Sequence, residues 1–425
     1  MKRIVSLILL VLPATLIAAE KPNIVMIISD DHAWTDYGFM GHAEIKTPSI
    51  DKLAKRGLAF SRGYVPSSLC CPSLASVITG LYPHQNGITS NDPPLPAGMN
   101  MAKFRKGPEF QKGRERMNLF MDAQATLPRL LVKDGYLALQ TGKWWQGDFT
   151  RGGFTHGMTQ GGRHGDAGLD IGRKTLEPIR DFIVTAKKQE KPFFVWYAPL
   201  LPHDPHTPPK DLLEKYRKIQ PNEHIAKYQA MVEWFDQTCG ALMKMLDDQG
   251  VADNTIVVYL ADNGWIQDPN SPHYAPKSKQ SPYDGGLRTP ILVSYPGKIA
   301  PAVSDTPVSS IDIMPTVLKL AGIKAPDGLP GIDLTDKDAV SKRRSVQGGI
   351  FTHNAVDLEK PAASLRWRWM LRDGMKLLLP TALESGAEVE LYDVIRDPME
   401  TKNLAADKPA VVSEITAALD AWWKP

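Results

Sequence analysis

The chain has 425 residues, 43% of them apolar and 23% charged, with a formal net charge of +3 at pH 7. That length and apolar content supply one large buried core or two, and they exclude an extended disordered chain. So small a net charge gives no basis for nucleic-acid binding, and 3 cysteines are too few for a disulfide framework.

The first element in chain order is a leader. Lys2 and Arg3 precede an apolar run from Ile4 to Ile17, and Ala18-Ala19 offer a cleavage point, so residues 1–19 are expected to form a signal peptide. The run is too short for a comfortable membrane span, and no other run is long enough. The mature protein is therefore expected to be secreted or periplasmic, without a membrane span.

Next, the apolar, β-branched run Asn23–Ser29 predicts a strand, and Ser49 is the expected cap of a helix reaching residue 56. Residues 72–79 predict a short helix with Pro72 in its first turn. Cys70 then lies just ahead of that helix, near the positive end of its dipole. Further helices are expected at 126–133, 176–189 and 224–249, and further strands at 137–141, 193–198, 255–261 and 291–294. Cys239 shares an apolar stripe with Tyr228, Met231, Phe235, Leu242 and Leu246 and is read as a core thiol.

Apolar strands alternating with helices predict an α/β fold, a large and mostly parallel sheet sandwiched by helices. Short strands at 367–372, 375–379 and 388–394 fit an antiparallel sheet, on which a last helix at 410–423 could pack. The expected division is 1–19, 20–345 and 346–425. Ligands of such sheets sit at the carboxyl ends of the strands. There the sequence places Asp30 and Asp31 after one strand, and Asp262 and Asn263 after another, a hard-oxygen set suited to Ca2+ or Mg2+.

The stretch Cys70-Cys71-Pro72-Ser73-Leu74, followed by Thr79-Gly80, resembles the Cys-x-Pro-Ser-Arg signature of the formylglycine-dependent (type I) sulfatases, within the alkaline phosphatase-like superfamily. Thr141-Gly142-Lys143-Trp144, Pro202-His203 and Tyr283-Asp284-Gly285-Gly286-Leu287-Arg288 after Lys279 are similar to further family motifs in family order. So is Leu391-Tyr392-Asp393 with Asp397-Pro398, Glu400 and Asn403-Leu404, a resemblance that implies a smaller C-terminal α+β domain carrying an antiparallel sheet.

The resemblance implies a sulfatase acting on a sulfated small molecule or polysaccharide, matured by a formylglycine-generating enzyme that oxidises Cys70. By the same resemblance Asp30, Asp31, Asp262 and Asn263, with residue 70, hold Ca2+ or Mg2+. Lys143 and Lys279 hold the sulfate, and His203 protonates the leaving group, with His206 as a nearby alternative. Two positions depart from the family pattern. Leu74 stands where the family has arginine, and Trp145 where it has the histidine that serves as base in regenerating the aldehyde. A phosphodiesterase or phosphonate hydrolase of the same superfamily, and a non-catalytic binding protein, are the competing readings.

Two more segments are expected near the cleft. One is the basic run Lys103, Arg105, Lys106, Lys112, Arg114 and Arg116, which either contacts a sulfated glycan or forms a solvated surface. The other is the Gly-rich stretch 152–172 with His156, Arg163 and His164.

Overall fold

Residues 21–425 are described in a computed structural model, so the expected leader lies outside the described residues. The larger sheet contains β1 (Asn23–Ser29), β2 (Leu58–Tyr64), β3 (Leu137–Gly142), β4 (His156–Gly157), β5 (Phe193–Ala198), β6 (Thr255–Ala261), β7 (Arg288–Ser294), β8 (Ala302–Ser304) and β9 (Val308–Ser309). The strand order is β4-β3-β5-β1-β6-β7-β2-β8, with β9 also pairing β2. The central pairs β3–β5, β5–β1 and β1–β6 are parallel, and β7 runs antiparallel to both neighbours. Strands β1, β3, β5 and β6 are buried along their whole length, as expected of strands covered on both faces. Two apolar clusters lie on opposite faces, one containing Ile24, Met26 and Trp196, the other Val25, Ile27 and Val195.

The second sheet is β10 (Ser345–Phe351), β11 (Leu365–Arg372), β12 (Met375–Pro380) and β13 (Glu390–Asp393), antiparallel throughout, with the helix Pro409–Trp422 packed against it. No helix among the described residues is long and apolar enough to cross a membrane. Cys239 is fully buried in the apolar face of the helix Glu223–Asp248, as its stripe predicts.

Two local expectations change. Ser49 does not cap its helix: Pro48 opens it after Thr47, and Asp236 from the helix Glu223–Asp248 accepts from Ser49 N–H (3.0 Å) and Ile50 N–H (2.8 Å). A carboxylate reached through tertiary packing has replaced the local hydroxyl. Cys70 is the first residue of the helix Cys70–Thr79 and does not precede it, because Leu69 is the extended N-cap.

Candidate active site

β1, β2, β3, β5 and β6 all point their carboxyl ends toward one edge of the sheet, and each is followed by a segment carrying an expected group. Asp30 and Asp31 follow β1, Cys70 follows β2, Lys143 follows β3, His203 follows β5, and Asp262 and Asn263 follow β6. Lys279 reaches the same edge from the loop before β7. That loop is tied to the segment ahead of Cys70, because Gln280 N–H donates to Ser68 O (2.9 Å) and Ser68 Oγ–H donates to Ser281 O (2.7 Å).

Tight backbone geometry delivers these side chains. Gly142 has φ +76°, and a Cβ there would lie 1.8 Å from Ala198 O, so only glycine lets the chain turn into Lys143. Asp31 adopts φ 57°, a left-handed conformation that costs a non-glycine residue about 1–3 kcal/mol. At position 70 the chain enters a ten-residue helix whose second N–H is taken by Asn91 Oδ1 (2.9 Å from Cys71 N), leaving the positive helix end at Cys70.

The charged groups interlock. Lys143 Nζ lies 2.6 Å from Asp30 Oδ2 and 3.2 Å from Asp262 Oδ2. Lys279 Nζ lies 2.6 Å from Asp31 Oδ1, and His203 Nε2 lies 3.5 Å from Asp31 Oδ2. Burial alone would drive Lys143 toward its neutral form, but Asp262 and Asp30 outweigh it and hold the ammonium well above the usual lysine range. Lys279 is raised in the same way by Asp31. For His203, burial pulls down while Asp31 and Asp30 push up, and the ring is raised to about 10. A protonated imidazole is thus available as a proton donor. Burial together with Asp30 pushes Asp262 up to about 7, whereas Lys279 and His203 overcome burial at Asp31 and hold it below the usual carboxylate range.

The cluster fits a divalent cation. Both carboxylate oxygens of Asp30 and the Oδ1 of Asn263 are buried without a hydrogen bond, Asp30 meeting Lys143 only as an ion pair outside hydrogen-bond geometry. Donor atoms of Asp30, Asp31, Cys70 and His203 all lie within 4.8 Å of one another. Buried acceptors with unspent lone pairs, most of them anionic oxygens, are the ligands a hard cation takes.

The expected residues do not all converge. His206 packs beside Tyr228 and Trp265, with ring centroids at 5.4 and 5.7 Å, and its Nε2 is buried without a partner. Burial lowers it to about 4. His156 bonds Thr155 and packs on Phe182, on the β4 edge. His164 does approach the cluster, its ring 6.2 Å from that of His203 and 4.6 Å from that of Trp145. Leu74 is buried in the apolar cluster that also holds Trp144 and Trp145.

Sequence reading gave no role to Asp204. Its backbone O lies 2.5 Å and its Oδ1 2.9 Å from His203 Nδ1, which leaves Nε2 directed at the carboxylate cluster. The adjacency of Asp204 to His203 was the available signal.

The mostly parallel α/β sheet thus gathers acids, two lysines and a histidine at its carboxyl edge. The chain belongs to the sulfatase family, a family of sulfuric ester hydrolases: the Sulfatase family model matches residues 22–323, and the model described as N-sulphoglucosamine sulphohydrolase, C-terminal, matches residues 277–422. It is 29% identical to arylsulfatase A of Homo sapiens over 77% of this chain and 69% of that protein. It is 26% identical to the ulvan-active sulfatase of Formosa agariphila over 74% of this chain and 65% of that protein. Its fold is shared with the crystal structure of Ps i-CgsB, with 23% identity, 95% of this chain and 93% of that chain covered, and a TM-score of 0.73. The same fold appears in the phosphonate monoester hydrolase of Agrobacterium radiobacter, at 19% identity, 95% and 96% coverage, and a TM-score of 0.71.

Proposed function

We propose that the protein is an exported sulfatase that hydrolyses the sulfate ester of a sulfated carbohydrate, with Cys70 matured to formylglycine and Ca2+ as the bound ion. The observation that carries this reading is the convergence of Cys70, Lys143, His203 and Lys279 on the carboxylate cluster at one sheet edge. Asp30, Asp31, Asp262 and Asn263, with residue 70, would hold the cation, and Mg2+ is the alternative ion. When bound, the cation supplies positive charge beside the attacking oxygen and the sulfate. The formylglycine hydrate supplies that attacking oxygen.

The remaining work falls to side chains of this chain. The ammonium groups of Lys143 and Lys279 bind the sulfate oxygens and offset the charge that develops there. His203 donates its proton from Nε2 to the departing alkoxide oxygen, while Asp204 holds Nδ1 and fixes the ring. His203 takes this role over His206, which packs beside Tyr228 and Trp265 and forms no ion pair with the carboxylates among the described residues. Residues 20–345 carry this chemistry and 346–425 form the smaller domain, a division supported by the second sheet beginning at Ser345.

Sulfate release from sulfated saccharides, measured beside phosphate release from matched phosphodiesters and phosphonate esters, tests the reading. Sulfate release that is lost on chelation and restored by Ca2+ is expected. Phosphate or phosphonate turnover without sulfate release would move the assignment to the superfamily alternative, and neither would leave a binding protein.

A further inference from the structure

The basic run divides on folding. Lys103, Lys106 and Lys112 are exposed, and Arg116 pairs with Glu359 while covering Phe120 (4.6 Å). Arg105 and Arg114 turn the other way and line a cavity of about 430 Å³, which Arg151 and Arg163 close from the opposite wall. None of the positions lining it is one of the proposed nucleophile, lysine, histidine or metal ligands.

The charges in this cavity do not balance at one end. Arg105 Nη2 (3.0 Å) and Arg163 Nε (2.6 Å) share a single buried carboxylate, that of Asp92. Arg114, itself buried, donates to Asn91 O (2.9 Å) and forms no ion pair among the described residues. Three guanidinium groups therefore stand against one carboxylate, and Arg105 Nε is buried without a hydrogen-bond partner. Arg151 at the far end is paired with Glu115 and Asp122 and also feels Asp148 on the cavity wall. The four arginines are thus matched by four carboxylates overall, but the cationic excess lies beside Trp145. Concentrating uncompensated cationic charge is costly unless an anion completes the site. Guanidinium forks match the planar or tetrahedral oxygens of carboxylate and sulfate.

Trp145, which is buried and does not line the cavity, stands between it and Lys143. His164 links the cavity rim to the catalytic groups, 2.6 Å from Arg163 Nη1 and with its ring 6.2 Å from that of His203. Arg163 Cζ lies 4.5 Å, Arg114 Cζ 5.6 Å and Lys143 Nζ 5.9 Å from the centroid of the one Trp145 ring. The Lys143 and Arg163 heads are thus no farther apart than the two legs through the shared ring, a spacing that substituents on one sugar or on adjoining sugars bridge. We infer that the Arg105–Arg114–Arg163 cavity binds a second anionic group, a sulfate or a carboxylate, carried by the same saccharide whose sulfate ester is cleaved. The inference rests on the sulfatase reading above and adds to it a substrate class, the polyanionic saccharides.

Three probes test it: N-acetylgalactosamine 6-sulfate, N-acetylgalactosamine 4,6-disulfate, and the disaccharide of a hexuronate with N-acetylgalactosamine 6-sulfate. The matured holoenzyme should prefer at least one dianionic probe by about tenfold in kcat/KM, the worth of one well-placed charge pair. Whether the disulfate or the uronate gains identifies the second group. That preference should fall to near unity in Arg105→Gln and in Gln111→Glu. The second variant places a carboxylate on the cavity wall at an exposed position and does not disturb Asp92. Equal kcat/KM for all three probes, or a preference retained in both variants, overturns the inference. If none of the three probes is hydrolysed while sulfate is released from other sulfated saccharides, the sugar has been wrongly chosen; if no sulfated saccharide is hydrolysed, the sulfatase reading is what has failed. Dissociation constants from calorimetry with the same probes and variants then decide the cavity's role by the same ratios.

Discussion

A histidine that donates a proton to a leaving group must keep one ring nitrogen tied and the other facing substrate. Asp204 ties Nδ1 of His203 through its backbone O (2.5 Å), which any substitution keeps, and through Oδ1 (2.9 Å), so Asp204→Asn should weaken the acid without removing it. We expect kcat to fall about tenfold or more on alkyl sulfates, whose leaving groups need the proton, and far less on an aryl sulfate with a good leaving group. Asp204→Glu should recover part of the loss, and an equal fall on both substrate types would leave Asp204 merely structural. The carboxylates and lysines were legible in the sequence because each directly follows an apolar strand or sits in a family motif. His164 was placed only loosely near the cleft, since its approach to His203 depends on how the Gly-rich loop closes over Lys143. There Trp144 N–H donates to His164 O (3.2 Å), a contact with no local signature.

Among the elements, the strand-to-lysine turn is the least forgiving. Gly142→Ala would drive a Cβ into Ala198 O, so β3 and β5 would have to separate or Lys143 swing away. We expect a loss of about 1–3 kcal/mol in stability by urea unfolding, with kcat/KM falling by more than that stability change explains. An active, fully stable variant would show that the turn relaxes freely. β1, β5 and β6 could be read from their unbroken apolar runs, whereas β2 could not. Ser61, Arg62 and Gly63 interrupt its pattern, and it is a strand because β7, β8 and β9 pair with it. β10 was likewise hidden by Gly348 and Gly349. Gly348 lies where a Cβ would meet Pro66 O at 2.0 Å, so the glycine answers to a close tertiary approach. The cap of the helix Pro48–Ala54 escaped for the same kind of reason, since its acceptor comes from Asp236, far away in sequence.

At the scale of the whole molecule, the smaller sheet is fastened to the larger one close to the site. Tyr64, Val65 and Leu287 pack with Val346, Ile350 and Trp369. Beneath them buried Lys376 lies 2.7 Å from Asp284 and 2.9 Å from Glu400. Burial raises the Glu400 carboxyl from 4.5 to about 7, with Lys376 pulling it back and Asp284 pushing it further. The folded state therefore keeps a proton that the unfolded chain releases. This contribution is complete below pH 4.5 and is lost as the pH rises through about 7. Urea midpoints should accordingly fall more steeply over that window in the wild type than in Glu400→Gln, and parallel curves would remove Glu400 from the account. The two-sheet architecture was legible in outline, the larger sheet from its apolar strands and the smaller domain from the resemblance carried by Leu391-Tyr392-Asp393 and Asn403-Leu404. The buried ion cluster joining them was not, because Asp284, Lys376 and Glu400 come together only when the sheets dock.

Whether Cys70 is matured to formylglycine decides the proposed chemistry, and the mass of the tryptic peptide covering residues 63–103 reads it out. The peptide should come from protein co-expressed with a formylglycine-generating enzyme and shown to release sulfate. An aldehyde is expected in place of the Cys70 thiol, with Cys71 unchanged. An active enzyme that retains the thiol at position 70 would contradict the proposed maturation.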